Sequence, residues 1–155
     1  MRTLLIFTAL TLIFSCKQDK KSVEVEDTPM QTEVQAEDLA VRGENLLATY
    51  CYQCHDPKMS MDNNLAPPMI AVKNYYIMEE TTKEAFTADL LAWMNGPSVE
   101  KSKMPDAVEK YGLMNHQVYP DSVVIGIAEY LYDNEVEQPE WYQKHHEEMH
   151  GSDEQ

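Results

Sequence analysis

The sequence predicts an all-α fold from three observations. Apolar residues recur at helical spacing in several segments, no alternating apolar and polar run exceeds a few positions, and a Cys-Tyr-Gln-Cys-His motif at residues 51–55 directly follows the first helical segment. The first apolar face contains Leu39, Gly43, Leu46 and Tyr50. Residues 37–134 have the length of one small domain, and the sequence shows no internal repeat.

Two further helices are framed by start and stop signals. Thr81 and Glu84 form a capping box before one apolar face, and Asn-Gly-Pro at residues 95–97 stops that helix. Pro-Asp-Ser at residues 120–122 starts the last helix of the domain. The two apolar faces contain Phe86, Leu90 and Trp93, and Val124, Ile127, Ala128 and Leu131. We therefore expect three to five short helices.

The motif at residues 51–55 predicts covalent haem attachment. Thiols three residues apart lie on neighbouring faces of a helical turn, so Cys51 and Cys54 can add to the two vinyl groups of one porphyrin as thioethers. The adjacent His55 then directs its imidazole at the iron as the proximal ligand. One haem c also suits a chain of this size, because it supplies a small core with a large apolar filler.

The motif has two other interpretations, a zinc site and a redox dithiol. A structural zinc site needs four ligands, and the chain has 3 cysteines, while the histidines that could complete the site lie far along the chain in a polar segment. These are His145, His146 and His150. A thioredoxin-like redox dithiol needs a βαβ context, which the sequence pattern lacks.

The first residues resemble an export signal. In residues 1–15, Arg2 precedes an apolar stretch that is shorter than the about 20 residues needed to span a bilayer. Ile-Phe-Ser-Cys at residues 13–16 resembles the lipobox of bacterial lipoproteins, which implies that Cys16 is acylated and anchors the chain on the periplasmic side of a membrane. An ordinary signal peptide is the alternative. Acylation of Cys16 would leave no free thiol outside the motif, which favours the anchor.

Polar segments flank the predicted domain. Residues 16–36 have no helical stripe and are interpreted as a flexible tether behind the acylated cysteine. Residues 135–155 are interpreted as an acidic polar tail, in which residues 140–150 form a short peripheral helix. The three histidines of this tail could bind a transition metal weakly, but a solvated tail without a ligand role is the favoured interpretation.

The order and spacing of these motifs resemble a class I (mitochondrial-type) monohaem cytochrome c of the bacterial lipoprotein-anchored kind. The matching segments are the helix of Gly43, residues 51–55, Ala-Pro-Pro at 66–68, Trp-Met-Asn-Gly-Pro at 93–97, Lys-Met-Pro at 103–105 and Ile-Ala-Glu-Tyr-Leu at 127–131. The resemblance implies the small cytochrome c fold around one covalently bound haem, with the first and last helices crossing at Gly43 and Tyr130.

The resemblance also implies that the carbonyl of Pro67 accepts the Nδ1 proton of His55. General chemistry agrees, because a ligating imidazole almost always donates its other N–H to a fixed acceptor. The consecutive prolines at residues 67–68 make this segment stiff.

Met104 is the predicted sixth ligand among 10 methionines. Pro105 disfavours a helical conformation at Met104, which suits a loop that presents its thioether to the iron. The resemblance at residues 103–105 points to the same residue. Met114 and His116 remain alternatives, because their segment is rich in loop signals.

The chain is strongly acidic, with 12 basic and 27 acidic side chains. Removal of residues 1–15 takes away Arg2 and no acid, which leaves 11 basic and 27 acidic side chains and a formal balance of −16. Such a surface repels nucleic acid and anionic headgroups. The acidic surface has two explanations. It keeps the protein soluble, or it steers the protein to a basic docking surface on a membrane oxidoreductase or oxidase.

His/Met ligation fills both axial positions and raises the reduction potential relative to two imidazoles, which predicts a one-electron carrier with no catalytic role. The preferred hypothesis is a membrane-tethered shuttle in a respiratory chain. A fixed cytochrome subunit of a larger membrane oxidoreductase complex is the first alternative. A haem sensor or peroxidase with a labile sixth ligand is the second.

Overall fold

The structure is a computed structural model that describes residues 29–151, with side chains for residues 37–149 and 151. Within this range the chain forms six α-helices, one 3-10 turn and no strand, so the all-α class is confirmed for this part. The elements are α1 (Pro29–Tyr50), α2 (Met69–Tyr76), α3 (Lys83–Met94), the 3-10 turn (Val99–Lys101), α4 (Pro105–Tyr111), α5 (Asp121–Asp133) and α6 (Tyr142–His150). None of these helices is long and apolar enough to cross a membrane. The predicted export signal (residues 1–15) and Cys16 lie outside the described residues.

Helix α5 is the centre of the packing, since both α1 and α3 contact it. Its predicted apolar face is confirmed, because all four of its members are buried. At the crossing with α1, a Cβ added to Gly43 would lie 2.4 Å from the Cβ of Tyr130 and 3.1 Å from the carbonyl oxygen of Gly126. Only glycine permits so close an approach of the two backbones, so the crossing lies at Gly43 and Tyr130.

The buried face of α1 differs from the predicted one. Leu47 is fully buried, whereas Leu39 and Tyr50 are 60% and 41% exposed. Helix α1 has 22 residues and α5 has 13, so their lengths are about 33 and 20 Å and α1 is longer than the helix that covers it. The helical period gave the correct face around Gly43 but could not show where the covering helix stops.

The predicted tether extends too far along the chain, because α1 begins at Pro29 and not after residue 36. Proline suits the first helical position, where its missing N–H has no intrahelical partner. Residues 30–36 contain neither glycine nor proline, so no breaker separates Pro29 from the predicted helix.

The predicted boundary at residue 134 is too early, because the segment that follows packs on the domain. Val136 and Tyr142 are 8% and 5% exposed and belong to the core. The indole of Trp141 donates to the carbonyl oxygen of Met59 at 2.8 Å, and the amide of Asn74 donates to the Tyr142 hydroxyl at 3.1 Å. The acidic composition of residues 135–155 concealed a few apolar side chains that complete the core. The predicted peripheral helix is present as α6.

Two short helices, α2 and α4, were not predicted. Each begins directly after or at a proline, with Pro68 as the N-cap of α2 and Pro105 as the first residue of α4. With 8 and 7 residues they are too short for a helical period to be recognised. Helix α3 ends at Met94 with Asn95 as its C-cap, so the predicted stop is confirmed. Its N-cap is Thr82, whose hydroxyl accepts from the Ala85 amide, and not Thr81.

Candidate functional site

A cleft of about 250 Å³ lies between the motif loop and helices α2 to α5. Its walls include apolar side chains from three helices, among them Val72, Leu90 and Ile127. All five predicted site residues of the domain line this one cleft. They are Cys51, Cys54, His55, Pro67 and Met104. Residues separated by up to 53 positions in the sequence therefore share one apolar space.

The first helix positions the two thiols. The amide of Cys51 still bonds to the carbonyl of Leu47 at 2.9 Å, and the amides of Cys54 and His55 both bond to the carbonyl of Cys51, at 3.1 and 2.9 Å. These bonds continue the helix by one turn past Tyr50. Both cysteines are free thiols; Cys51 is half-buried, and Cys54 is exposed.

The local environment favours neutral side chains in the motif. Burial, together with the nearby Cys54 thiol as the smaller cause, raises the pKa of the Cys51 thiol to about 11. Burial lowers the pKa of His55, although its hydrogen bond to Pro67 opposes this shift. The imidazole is therefore uncharged near neutral pH and has a ring nitrogen available as a ligand.

The ring of His55 is held by Pro67. Nδ1 of His55 lies 2.6 Å from the carbonyl oxygen of Pro67. The family resemblance predicts a hydrogen bond between these two atoms. A carbonyl oxygen only accepts, so Nδ1 carries the proton and Nε2 keeps its lone pair. Pro68 has φ −60° and ψ 151°, an extended backbone that leads from this acceptor into α2. The hydrogen bond to Pro67 thus sets both the tautomer and the orientation of the ring.

Met104 is presented by the start of α4. Its backbone has φ −123° and ψ 68°, so it is not helical, as the following proline predicts. The amide of Met104 donates to the hydroxyl of Ser102 at 3.1 Å, and Lys103 pairs with Asp89 on α3. The side chain of Met104 is 9% exposed and lines the cleft. The backbone of Met104 is therefore held by the two residues before it and by the start of α4 after it.

The structure separates the two alternatives to Met104. Met114 also lines the cleft, where the indole N–H of Trp93 donates to its sulfur at an N–S distance of 3.3 Å. His116 is exposed and is not among the residues that line the cleft. Sequence reasoning treated these two residues alike, because nothing in the local pattern indicates the contact with Trp93, 21 positions away.

Two of the three C-terminal histidines lie against aromatic rings, and the side chain of His150 is outside the described residues. The ring centroids of Trp141 and His145 are 6.0 Å apart, and those of Tyr142 and His146 are 5.7 Å apart. In the part of the chain that the structure covers, no group of three or more His, Cys, Asp or Glu side chains is placed to hold a metal ion.

Comparisons with known proteins add no assignment, since no protein-family model, curated protein or solved structure matches the chain. The chemistry of the cleft is thus the available guide to function. It combines two thiols, one imidazole of fixed tautomer and thioethers inside apolar walls. Thiols, imidazole and thioether are the groups that attach and ligate haem in c-type cytochromes.

Proposed function

We propose that the chain is a c-type cytochrome that transfers one electron, tethered on the periplasmic side of a bacterial membrane through Cys16. One haem c would be attached to Cys51 and Cys54 and ligated by His55 and Met104. The observation that carries the proposal is the hydrogen bond of 2.6 Å between His55 and the carbonyl of Pro67 at the wall of the cleft.

The residues of the cleft fit a haem. Its walls are largely apolar, which suits a porphyrin face, and the thiols lie beside the imidazole on the same turn. Cys54 is exposed and Cys51 half-buried, so the residues that would hold the porphyrin lie partly at the surface. An attachment site near the surface suits electron exchange with a partner protein that does not enter the cleft.

Each residue has a separate task in this proposal. When bound, the haem iron supplies a one-electron couple. The carbonyl of Pro67 keeps the proton on Nδ1 of His55, so that Nε2 is the ligating atom. The thioether of Met104 would favour reduced iron and so raise the potential, and the apolar side chains of Val72, Leu90 and Ile127 would keep water from the haem.

The mass of the intact protein tests the attachment. The chain should be produced in a bacterial host that matures c-type cytochromes, with Cys16→Ser so that no lipid contributes to the mass. We expect one added haem and a haemochrome spectrum in pyridine typical of two thioether links. The Cys51→Ala/Cys54→Ala variant is the matched control and should have the bare polypeptide mass. A bare mass for the chain with both cysteines would overturn the proposal.

Co-purification tests the shuttle against the alternative of a fixed subunit. A tethered shuttle should leave the membrane alone on detergent extraction, because its attachment is the lipid on Cys16. A subunit of a larger oxidoreductase should instead emerge with partner chains in fixed stoichiometry. The first outcome supports the proposal, and the second replaces the shuttle with the subunit.

A further inference from the structure

Trp93 and Met114 form a hydrogen bond in which the donor and the acceptor are unambiguous. Trp93 lies near the end of α3, Met114 lies between α4 and α5, and both line the cleft. The indole N–H is only a donor and a thioether sulfur only an acceptor, so the N–S distance of 3.3 Å identifies a hydrogen bond from Trp93 to Met114. The half-buried indole thereby gains a partner, as the N–H of a buried tryptophan usually does.

The sulfur of Met114 is also the group most similar to Met104 as an iron ligand. Both methionines line the cleft, and a thioether binds iron through the lone pairs with which it accepts a hydrogen bond. The bond to Trp93 uses one of the two lone pairs of the Met114 sulfur and restricts where that sulfur can lie, so an iron atom outside this range is reached only if the bond breaks. Met104 faces a different constraint, because Ser102 and the start of α4 fix its backbone.

We propose that Trp93 selects the axial ligand, because it holds the sulfur of Met114 and leaves Met104 as the thioether that binds the iron. Trp93 is in this sense a positioning residue, which acts through Met114 without touching the iron. The inference rests on the proposed function, since it requires a haem in the cleft.

Three variants test this role. Met104→Ala should lose the sulfur-to-iron charge-transfer absorption of the ferric protein and bind added imidazole. Met104→Ala/Trp93→Phe keeps an aromatic ring but removes the donor, so the released Met114 should bind the iron and restore the absorption. Imidazole should then bind roughly tenfold more weakly, because an internal ligand that occupies the iron about 90% of the time leaves a tenth of the sites open. Adding Met114→Leu should abolish the absorption again and restore imidazole binding.

A second measurement keeps Met104 in place. Proton NMR of the ferrous protein should show one shifted methionine methyl signal, and Trp93→Phe alone should add a second signal that Met114→Leu removes. The inference fails if Met104→Ala keeps the charge-transfer absorption with Trp93 intact, or if Trp93→Phe restores nothing. In both cases haem is bound and the proposed electron transfer stands, but the first outcome also removes Met104 as the ligand. Absence of haem from every variant overturns both.

Discussion

The indole N–H of Trp141 donates to the backbone carbonyl of Met59 at 2.8 Å, across 82 positions of sequence. Met59 lies in the loop between His55 and Pro67, and Trp141 lies directly before α6. The C-terminal segment is thereby tied to the loop that positions the acceptor of His55. The C-terminal segment thus contacts the loop that leads from His55 to Pro67.

Trp141→Phe should lower the free energy of unfolding by about 1–3 kcal/mol, because the change leaves the Met59 carbonyl without its donor and removes part of a packed ring. Guanidinium unfolding of the purified protein measures the loss. Lys144→Ala on α6 is the control, since Lys144 is exposed and its pair with Glu148 is a surface pair; we expect a change within about 0.5 kcal/mol. Equal stability of Trp141→Phe and the parent protein would show that the tie does not hold the loop.

Gly43→Ala should destabilise the protein even though alanine is the better helix former. The new Cβ would lie 2.4 Å from the Cβ of Tyr130, an atom fixed to the backbone of α5, so the two helices would have to separate. Overpacking of this kind costs about 1–3 kcal/mol, against about 1 kcal/mol gained in helix propensity. The unfolding midpoint in guanidinium measures the net effect.

Gly126→Ala is the matched control for the crossing. Its Cβ would meet Cδ1 of Leu46 at 2.9 Å, and this atom is the movable end of a side chain. The control should therefore be less destabilising than Gly43→Ala, or even stabilising. If the two variants lose the same stability, close backbone approach at Gly43 is not what the glycine provides.

Local signals predicted those parts of the fold that neighbouring residues decide. Three features each follow from residues within a few positions. They are the C-cap of α3 at Asn95, the buried face of α5 and the non-helical backbone of Met104. In α1, the burial of Leu47 and the exposure of Leu39 depend instead on where α5, a helix distant in sequence, ends. Propensity and period carry no information about such a partner.

The same distinction applies to the cleft. The motif at residues 51–55 predicted that the two thiols and the imidazole are site residues, because covalent haem attachment requires the Cys-x-x-Cys-His spacing. Nothing in the sequence around Met114 indicated that its sulfur accepts from Trp93, because this contact joins α3 to a loop beyond α4. The packing of Val136 and Tyr142 was missed for a similar reason, since acidic neighbours concealed both residues.

Ferrous protein should bind carbon monoxide slowly or not at all at neutral pH, because Met104 would fill the sixth position. Met104→Ala should bind it rapidly, and its midpoint potential should fall because the thioether no longer stabilises reduced iron. Met78→Ala is the control, since Met78 is 71% exposed and lies outside the cleft lining. Rapid binding by the parent protein would instead support the sensor or peroxidase alternative.

The formal net charge of −15 predicts how electron transfer responds to salt. Transfer to a redox protein of net positive charge should slow by about tenfold or more as ionic strength rises from about 0.01 to 0.15 M, because the Debye length then falls from about 30 to 8 Å. A redox protein of net negative charge is the control, and its rate should rise over the same range because screening relieves repulsion. Stopped-flow absorbance under excess partner measures both rates. If the positively charged partner reacts at the same rate at both salt concentrations, the acidic surface provides solubility and does not steer the encounter.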